Sequence, residues 1–199
     1  MTTVPDTTPQ RDILLRYNNV AIALHWLTVA LLLIQVYVGF TFHDMERGPE
    51  RGMWFDWHKT IGATILVLAL IRLGWRLANP PPPFPPELPR WERIAAVWNH
   101  RAFYFLIIAL PLTGLATVSS GNSGFTELVG GIPLPLIPGL PEAAGDVFGA
   151  THEVLVRVTI ALILIHVAAA LKHQFVDKSR VAGRMPPFRA PEGDQTTSQ

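Results

Sequence analysis

Residues 20–42, with the sequence VAIALHWLTVALLLIQVYVGFTF, decide the fold class of this chain. The stretch is 23 residues long, and His25 and Gln35 are its only strongly polar members. About 20 consecutive apolar residues are enough to cross a bilayer as an α-helix. A cleavable signal has a cationic start and a shorter apolar region, whereas residues 1–16 carry two aspartates and two prolines. The stretch is therefore expected to be a permanent membrane span.

Three more apolar stretches follow, and the composition of the whole chain agrees with them. The chain is 49% hydrophobic and 16% charged, whereas about a quarter of the residues in a soluble domain are charged. Its mean hydropathy is positive, at +0.29. These patterns predict an all-α integral membrane protein, a four-helix bundle with spans at about residues 20–42, 57–77, 101–118 and 150–172.

The basic residues are distributed unevenly between the two sides of such a bundle. Twelve of the 16 lysines and arginines fall on the side of the termini: Arg11, Arg16, Arg72, Arg76, Arg90, Arg93, Arg101, Lys172, Lys178, Arg180, Arg184 and Arg189. Because cytoplasmic loops carry the excess of basic residues, both termini are predicted to be cytoplasmic. The formal net charge is only +1, so no strong field selects a nucleic acid as partner. The lipid bilayer is the expected environment.

The chain is expected to divide into three parts. A cytoplasmic N-terminal arm covers residues 1–16, a transmembrane domain covers 17–185, and a disordered cytoplasmic tail covers 186–199. Seven prolines among residues 79–89 predict a stiff, extended linker between the second and third spans. Residues 119–151 are rich in glycine and proline, and we expect them to cap the outer end of the bundle, opposite the termini.

Four histidines fall at matching depths in this topology. His25 lies near the inner end of the first span and His58 at the outer end of the second. His152 and His166 lie at the outer and inner ends of the fourth span, 14 residues apart. That spacing corresponds to roughly 21 Å along a helix and about 40° around it, so one helix face presents both rings. The predicted pairs are His58 with His152 and His25 with His166.

Two opposed imidazoles between helices suit the two axial positions of a haem iron. A structural zinc site needs more ligands close together, and a proton relay needs carboxylates that these spans lack. The chain has no cysteine, which excludes thioether-linked haem, iron–sulfur clusters and thiolate zinc sites. The expected cofactors are therefore two non-covalent b haems. The plainer alternative is a set of neutral histidines that are bonded to neighbouring carbonyls.

Several segments together resemble the bacterial cytochrome b561 family over roughly residues 15–187. They are AIALHWL at residues 21–27, HKTIG at 58–62, ALPLTG at 109–114, HE at 152–153 and HVAAALKH at 166–173. The resemblance implies a four-helix protein of the bacterial inner membrane with two b haems. Its iron ligands would match His25, His58, His152 and His166. It also implies oxidation of superoxide at the outer face and transfer of the electrons to ubiquinone.

Further site residues are expected around the two pairs. Lys59 and Arg157 could steer an anion toward the outer haem or pair with a haem propionate. His100, Lys172 and His173 are the candidates for a quinone pocket at the inner end. One position departs from the family, because relatives often carry a lysine just before the histidine of the fourth span, where this chain has Thr151.

Two other functions stay open at this point. The first is a cytochrome b subunit that anchors a separate dehydrogenase or hydrogenase, in which case a redox partner subunit would purify with it. The second is a four-span scaffold or small transporter with incidental histidines, which would be colourless. Bis-imidazole ligation leaves no open position on the iron, so direct oxygen or peroxide chemistry is disfavoured.

Overall fold

The computed structural model describes residues 16–187, which form four long α-helices and one small hairpin. The elements are α1 (Asn19–His43), α2 (Pro49–Ala78), α3 (Arg90–Ser119), β1 (Phe125–Leu128), β2 (Ile132–Pro135) and α4 (Ala144–Leu171). A π-helical turn, Lys172–Val176, continues α4, and a 3₁₀ turn follows at Ala182–Arg184. The predicted arm at 1–16 and tail at 186–199 lie almost wholly outside the described residues.

The helix ends follow local sequence chemistry. The side chain of Asn18 caps α1 by accepting a hydrogen bond of 2.9 Å from the backbone N–H of Ala21. Pro49 occupies the start of α2, where its missing N–H costs nothing. Both α2 and α3 begin earlier than the predicted spans, at residues 49 and 90 instead of about 57 and 101. Charged residues end an apolar run without ending a helix, so helical structure continues past the membrane boundary.

All four helices are long and apolar enough to cross a membrane, which confirms the predicted four-helix membrane fold. Large apolar side chains face outward along them, among them Leu33, Tyr37, Phe105 and Leu164, each at least 60% exposed. Lipid tails can surround such apolar side chains, whereas their exposure to water would be unfavourable. The protein is therefore a multi-pass membrane protein.

The bundle packs through consecutive helices. In the described chain α1 lies against α2, α2 against α3 and α3 against α4, whereas α4 is not closely packed against α1 or α2. Only 6% of the most apolar stretch is buried in α1 and likewise in α4, compared with 17% in α2 and 22% in α3. The interior between α4 and the first two helices is therefore thinly filled by protein.

The segments next to the two termini meet at one end of the bundle, which we call the inner end. The backbone N–H of Tyr17 donates to the carbonyl of Arg184 over 3.2 Å, and Trp26 Nε1 donates to the carbonyl of Pro186 over 2.7 Å. The guanidinium of Arg184 bonds the carbonyl of Pro82 and lies 4.8 Å from the Phe84 ring centroid. The proline-rich linker forms neither helix nor strand, and it turns near its end, where the backbone N–H of Leu88 donates to the carbonyl of Pro85 over 3.1 Å.

The outer end carries the hairpin. Strands β1 and β2 pair antiparallel, with Phe125 opposite Pro135 and Leu128 opposite Ile132. The turn uses Gly130 at φ +84°, a conformation that side chains disfavour. The backbone N–H of Val129 donates to Thr60 Oγ1 over 2.9 Å, so the hairpin rests on α2 two residues after His58. It forms the expected cap.

Candidate functional site

The structure brings the four predicted histidines together as two pairs. The ring centroids of His58 and His152 lie 6.1 Å apart at the outer end, and those of His25 and His166 lie 6.5 Å apart at the inner end. Each pair joins α4 to a helix against which α4 is not closely packed. The rings therefore face each other across the thinly filled interior.

These separations suit a metal ion between two imidazoles. Bonds from a metal to imidazole nitrogen are about 2.0 Å long, which puts the two nitrogens roughly 4 Å apart and the ring centroids about 6 Å apart. The observed 6.1 and 6.5 Å are close to that requirement. Two side chains could thus occupy opposite faces of a flat cofactor at each end.

His152 is oriented as a metal ligand would be. Its Nδ1 lies 3.0 Å from the carbonyl oxygen of Leu110 and 3.2 Å from Thr113 Oγ1. A backbone carbonyl can only accept, so the ring proton sits on Nδ1 and the lone pair is left on Nε2. Such a bond to the second ring nitrogen is typical of metal-binding histidines.

Glycines make room for both outer rings. A Cβ placed on Gly114 of α3 would lie 3.3 Å from His152 Cε1, and one placed on Gly39 of α1 would lie 3.3 Å from His58 Cε1. Each imidazole therefore packs directly on the backbone of the neighbouring helix. Nothing in the sequence marks Gly39 as a contact of His58, because glycines are common in membrane helices.

His58 has one ring nitrogen bonded and one free of protein partners. Gln35 Nε2 lies 3.2 Å from His58 Nε2 and donates to the backbone carbonyl of His58 over 3.0 Å. The Nδ1 atom is buried and has no hydrogen-bond partner among residues 16–187. A Cβ on Gly39 would lie 3.5 Å from this Nδ1, so the atom packs against α1. A ligand role for His58 therefore falls to Nε2, and its contact with Gln35 would have to open.

Asn99 holds the inner histidine of α4. Its side-chain Nδ2 lies 2.9 Å from His166 Nδ1, while its Oδ1 is buried without a partner in the described chain. Turning the amide by half a rotation brings Oδ1 to the ring, where it accepts the Nδ1–H. In that orientation Nε2 of His166 keeps its lone pair for a ligand.

Arg72 contacts the other inner histidine. Its guanidinium lies 3.0 Å from His25 Nδ1, and because a guanidinium can only donate, Nδ1 is the acceptor here. Arg72 and Arg76 both lie over the Tyr104 ring, at 5.7 and 5.8 Å from its centroid. Within residues 16–187, neither arginine forms an ion pair with a carboxylate. Two cations thus lie near the inner pair without a carboxylate partner from the described part of the chain.

The three residues expected to form a quinone pocket do not lie together. The ring centroid of His100 is 5.8 Å from that of His166, so His100 is a third imidazole at the inner histidine pair. Lys172 and His173 instead line a cleft of about 410 Å³ with Glu92 and Asp177. His100 is eight residues further along α3 than Glu92, which is about 12 Å along the helix axis.

The cleft at the inner end is rich in charge. Lys172 Nζ lies 2.6 Å from Asp177 Oδ2 and 3.1 Å from Glu92 Oε1. The ammonium of Lys172 donates a hydrogen bond that lowers the pKa of Asp177. Glu92 was not predicted as a site residue. Its position in the first turn of α3, after the proline linker, gives no sign in the sequence that it faces the end of α4.

The two predicted anion-steering residues have protein partners. Lys59 Nζ donates to Thr126 Oγ1 and to the carbonyl of Glu127, at 2.8 Å each, and pairs with Asp56 at 3.0 Å. Arg157 pairs with Glu153 at 3.1 Å on an exposed part of α4. It is the fifth residue after His152, about 140° around the helix, so the two side chains lie on different faces.

Comparison with known proteins agrees with this geometry. Residues 16–187 match the family model described as prokaryotic cytochrome b561. The chain is 29% identical over 177 residues to "Cytochrome b561 homolog 2" of Escherichia coli, which covers 85% of this chain and 90% of that protein. It is 30% identical over 178 residues to "Probable superoxide oxidase CybB" of Yersinia pestis, with 86% and 96% covered.

A third relative is "Cytochrome b562" of Cereibacter sphaeroides, which is 27% identical over 179 residues, with 85% of this chain and 94% of that protein covered. Such relatives span nearly the same length as the four-helix domain and come from bacteria. Membership of their family implies haem b binding, electron transfer and a place in the inner membrane. The chain belongs to the prokaryotic cytochrome b561 family.

Proposed function

We propose that this protein is a dihaem cytochrome b that moves single electrons between the outer face of the membrane and the quinone pool, oxidising superoxide and reducing ubiquinone. One observation carries the proposal. α4 presents His152 and His166 at its two ends, and each faces an imidazole from another helix at 6.1 or 6.5 Å. Two sites at two depths provide a route for electrons across the membrane.

In this proposal His58 and His152 hold the outer haem, and His25 and His166 hold the inner one. Haem b, when bound, supplies a one-electron couple between ferric and ferrous iron. The carbonyl of Leu110 fixes the His152 ring, and Asn99 fixes the His166 ring. Rings held in this way need little reorganisation, which favours fast electron transfer.

Arg72 and Arg76 are proposed to neutralise the propionates of the inner haem. The contact between Arg72 and His25 Nδ1 leaves the proton of that ring on Nε2. If Nε2 of His25 held the haem iron, the ring proton would sit on Nδ1, and Arg72 would need another acceptor. A propionate carboxylate is such an acceptor, and charge-assisted bonds of this kind are strong.

Superoxide is the proposed electron donor. The name of the Yersinia pestis relative, a probable superoxide oxidase at 30% identity, supports it. Lys59 follows His58 directly, so its charge lies near the outer pair and supports a local attraction for a small anion, reduced by the ion pair with Asp56. Arg157 is proposed to add to the same field from the outer surface of α4, more weakly because Glu153 offsets its charge.

Ubiquinone is the proposed acceptor, in the cleft lined by Lys172 and His173. The cleft of about 410 Å³ lies at the inner end, where α4 continues into the π-helical turn. Phe175 and Val176 of that turn are 65% and 75% exposed, so the turn beside the cleft offers apolar surface to a lipophilic molecule. His100, beside His166, is proposed to lie between the inner haem and the quinone.

Haem content per chain tests the proposal directly. The detergent-purified protein should hold two b haems by pyridine haemochrome analysis, and His58→Ala and His25→Ala should hold one each. His43→Ala is the matched control, because His43 lies in the last turn of α1 outside both pairs. A parent protein with one haem, or variants that keep both, would contradict the assignment.

Two assays on the haem-loaded protein then test the substrates. Superoxide should reduce the haem, and a short-chain ubiquinone should reoxidise it. Haem that superoxide leaves oxidised, together with a dehydrogenase or hydrogenase subunit that purifies with the chain, would favour the membrane-anchor function instead.

A further inference from the structure

Gln35 is a polar residue within the first membrane span, and its side-chain nitrogen faces His58. Gln35 Nε2 lies 3.0 Å from the backbone carbonyl oxygen of His58 and 3.2 Å from Nε2 of the ring. The side-chain oxygen Oε1 of Gln35 is buried and has no hydrogen-bond partner among residues 16–187. An unpaired buried polar atom in a membrane span is costly, so we expect this amide to have a role at its nitrogen end.

The backbone carbonyl of His58 determines the orientation of the amide. A carbonyl oxygen can only accept a hydrogen bond, so the group of Gln35 beside it is the NH₂. The second N–H of that group lies at Nε2 of the ring, which accepts it. The proton of the neutral ring is therefore on Nδ1, which packs against Gly39. Gln35 thus holds His58 in the tautomer whose Nε2 lone pair a metal can take.

Two glycines leave the space that this arrangement needs. Gln35 and Gly39 are four residues apart on α1, so they lie on the same helix face, and both contact His58. On α2, a Cβ placed on Gly62 would lie 3.3 Å from Gln35 Nε2. The amide therefore packs against the backbone of α2 one turn after His58, and a larger residue at position 62 would displace it.

We infer that Gln35 is a positioning residue that raises the midpoint potential of the outer haem. The inference rests on the proposed ligation of that haem by His58 and His152. If iron takes the lone pair of His58 Nε2, the N–H that points at this atom loses its acceptor, whereas the bond to the backbone carbonyl needs no change. The positive end of the amide dipole then stays beside the ligated ring. It disfavours the extra positive charge of ferric iron and so favours the ferrous state.

The position of Gln35 confines this effect to one of the two sites. His25, the ligand that α1 is proposed to give to the inner haem, lies ten residues earlier, about 15 Å along the helix axis. Because electrostatic interactions weaken with distance, the potential of the inner haem should not respond to the amide. A higher potential at the outer haem alone makes that haem a better acceptor for an electron that arrives from the outer side.

The Gln35→Met variant tests the inference, because methionine is similar in length and has no N–H. Each haem is titrated alone by spectroelectrochemistry, the outer one in His25→Ala and the inner one in His58→Ala. For the outer haem, Gln35→Met should shift the reduction equilibrium about tenfold toward the oxidised form, a fall of about 59 mV in the midpoint potential. The potential of the inner haem should not change. Pyridine haemochrome analysis should give one haem per chain in each case.

Gly62→Ala is a second test that keeps the amide. The added Cβ should displace Gln35 Nε2 and lower the potential of the outer haem, by less than Gln35→Met does. In the Gln35→Met background the same substitution should have no further effect, because the amide on which it acts is gone. The control is Thr64→Val, which removes a hydroxyl that bonds the carbonyl of Thr60 at an exposed position of α2 and should match the parent.

An unchanged potential of the outer haem in Gln35→Met would overturn the inference, and so would a fall of equal size at both haems. If Gln35→Met does not hold the outer haem, Gly62→Ala decides: a lower potential supports the inference and an unchanged one overturns it. If His25→Ala holds no haem, or two, the proposed ligation itself is wrong, and the role of Gln35 falls with it.

Discussion

His152 Nδ1 lies 3.0 Å from the carbonyl oxygen of Leu110, one residue before Pro111 in the neighbouring helix. The bond joins α4 to α3 and sets the direction in which the ring presents its other nitrogen. Gly114, one turn further along α3, lets the ring lie against the helix backbone. The orientation of the outer ligand is therefore built by α3, a helix that contributes no ligand to that site in our proposal.

The first prediction concerns that glycine contact. Gly114→Val should remove the outer haem and leave about one haem per chain, because a Cβ at this position already lies 3.3 Å from His152 Cε1. Pyridine haemochrome analysis of the purified variant measures the loss. Gly74→Ala is the control, since nothing lies within 4 Å of the added Cβ there, and it should keep both haems. Full haem content in Gly114→Val would show that the ring does not need this contact.

The second prediction concerns Asn99. Asn99→Leu should lower the affinity of the inner site for haem by about 10- to 100-fold, the usual effect of losing a residue that orients a metal ligand. Titration of haem into the apoprotein measures it. Asn99→Asp keeps an acceptor for the Nδ1–H of His166 and should retain most of the affinity. Equal affinities for the Leu variant and the parent would mean that Asn99 does not orient the ring.

The third prediction concerns the charge of Arg72. Arg72→Gln should lower the midpoint potential of the inner haem by tens of mV, because removing a nearby positive charge favours the oxidised iron; 59 mV corresponds to a factor of ten for a one-electron couple. A spectroelectrochemical titration resolves the two haems. Arg101→Gln is the control, because Arg101 is exposed and lies over Trp98. An unchanged midpoint potential of the inner haem would show that Arg72 does not pair with its propionates.

The fourth prediction concerns Lys59 at the outer end. Lys59→Gln should lower the second-order rate constant for haem reduction by superoxide, by less than about tenfold, and should weaken its dependence on ionic strength. Asp56 offsets part of the Lys59 charge at 3.0 Å, which limits the effect. Stopped-flow measurements at several salt concentrations test it, with Lys178→Gln at the inner end as control. An unchanged salt dependence would remove Lys59 from the attraction of the donor.

Much of the site follows from positions along the chain. The depth of a residue in a membrane helix increases linearly with its number, so the spacing of His152 and His166 indicates two levels. The antiparallel order of the spans then gives each of them a partner at the same depth. The observed ring separations of 6.1 and 6.5 Å agree with that reasoning.

The residues that surround each histidine ring could not be predicted from spacing along the chain. The contact of Gly39 with His58 and that of Asn99 with His166 join residues whose neighbourhood depends on how the helices are rotated and laterally arranged. His100 shows the limit most clearly. Its place near the inner end of the third span suggested the quinone pocket, but the rotation of α3 puts its ring 5.8 Å from that of His166.

The sequence by itself determined the four spans, the absence of covalent haem attachment and the two levels of histidines, because these depend on the length, composition and linear spacing of single helices. Only the tertiary structure decided which groups contact each ring. It also decided that Glu92 pairs with Lys172 at the end of α4 and that Lys59 donates to Thr126 of the outer hairpin. Those contacts join segments far apart in the chain, and side-chain packing between helices sets them.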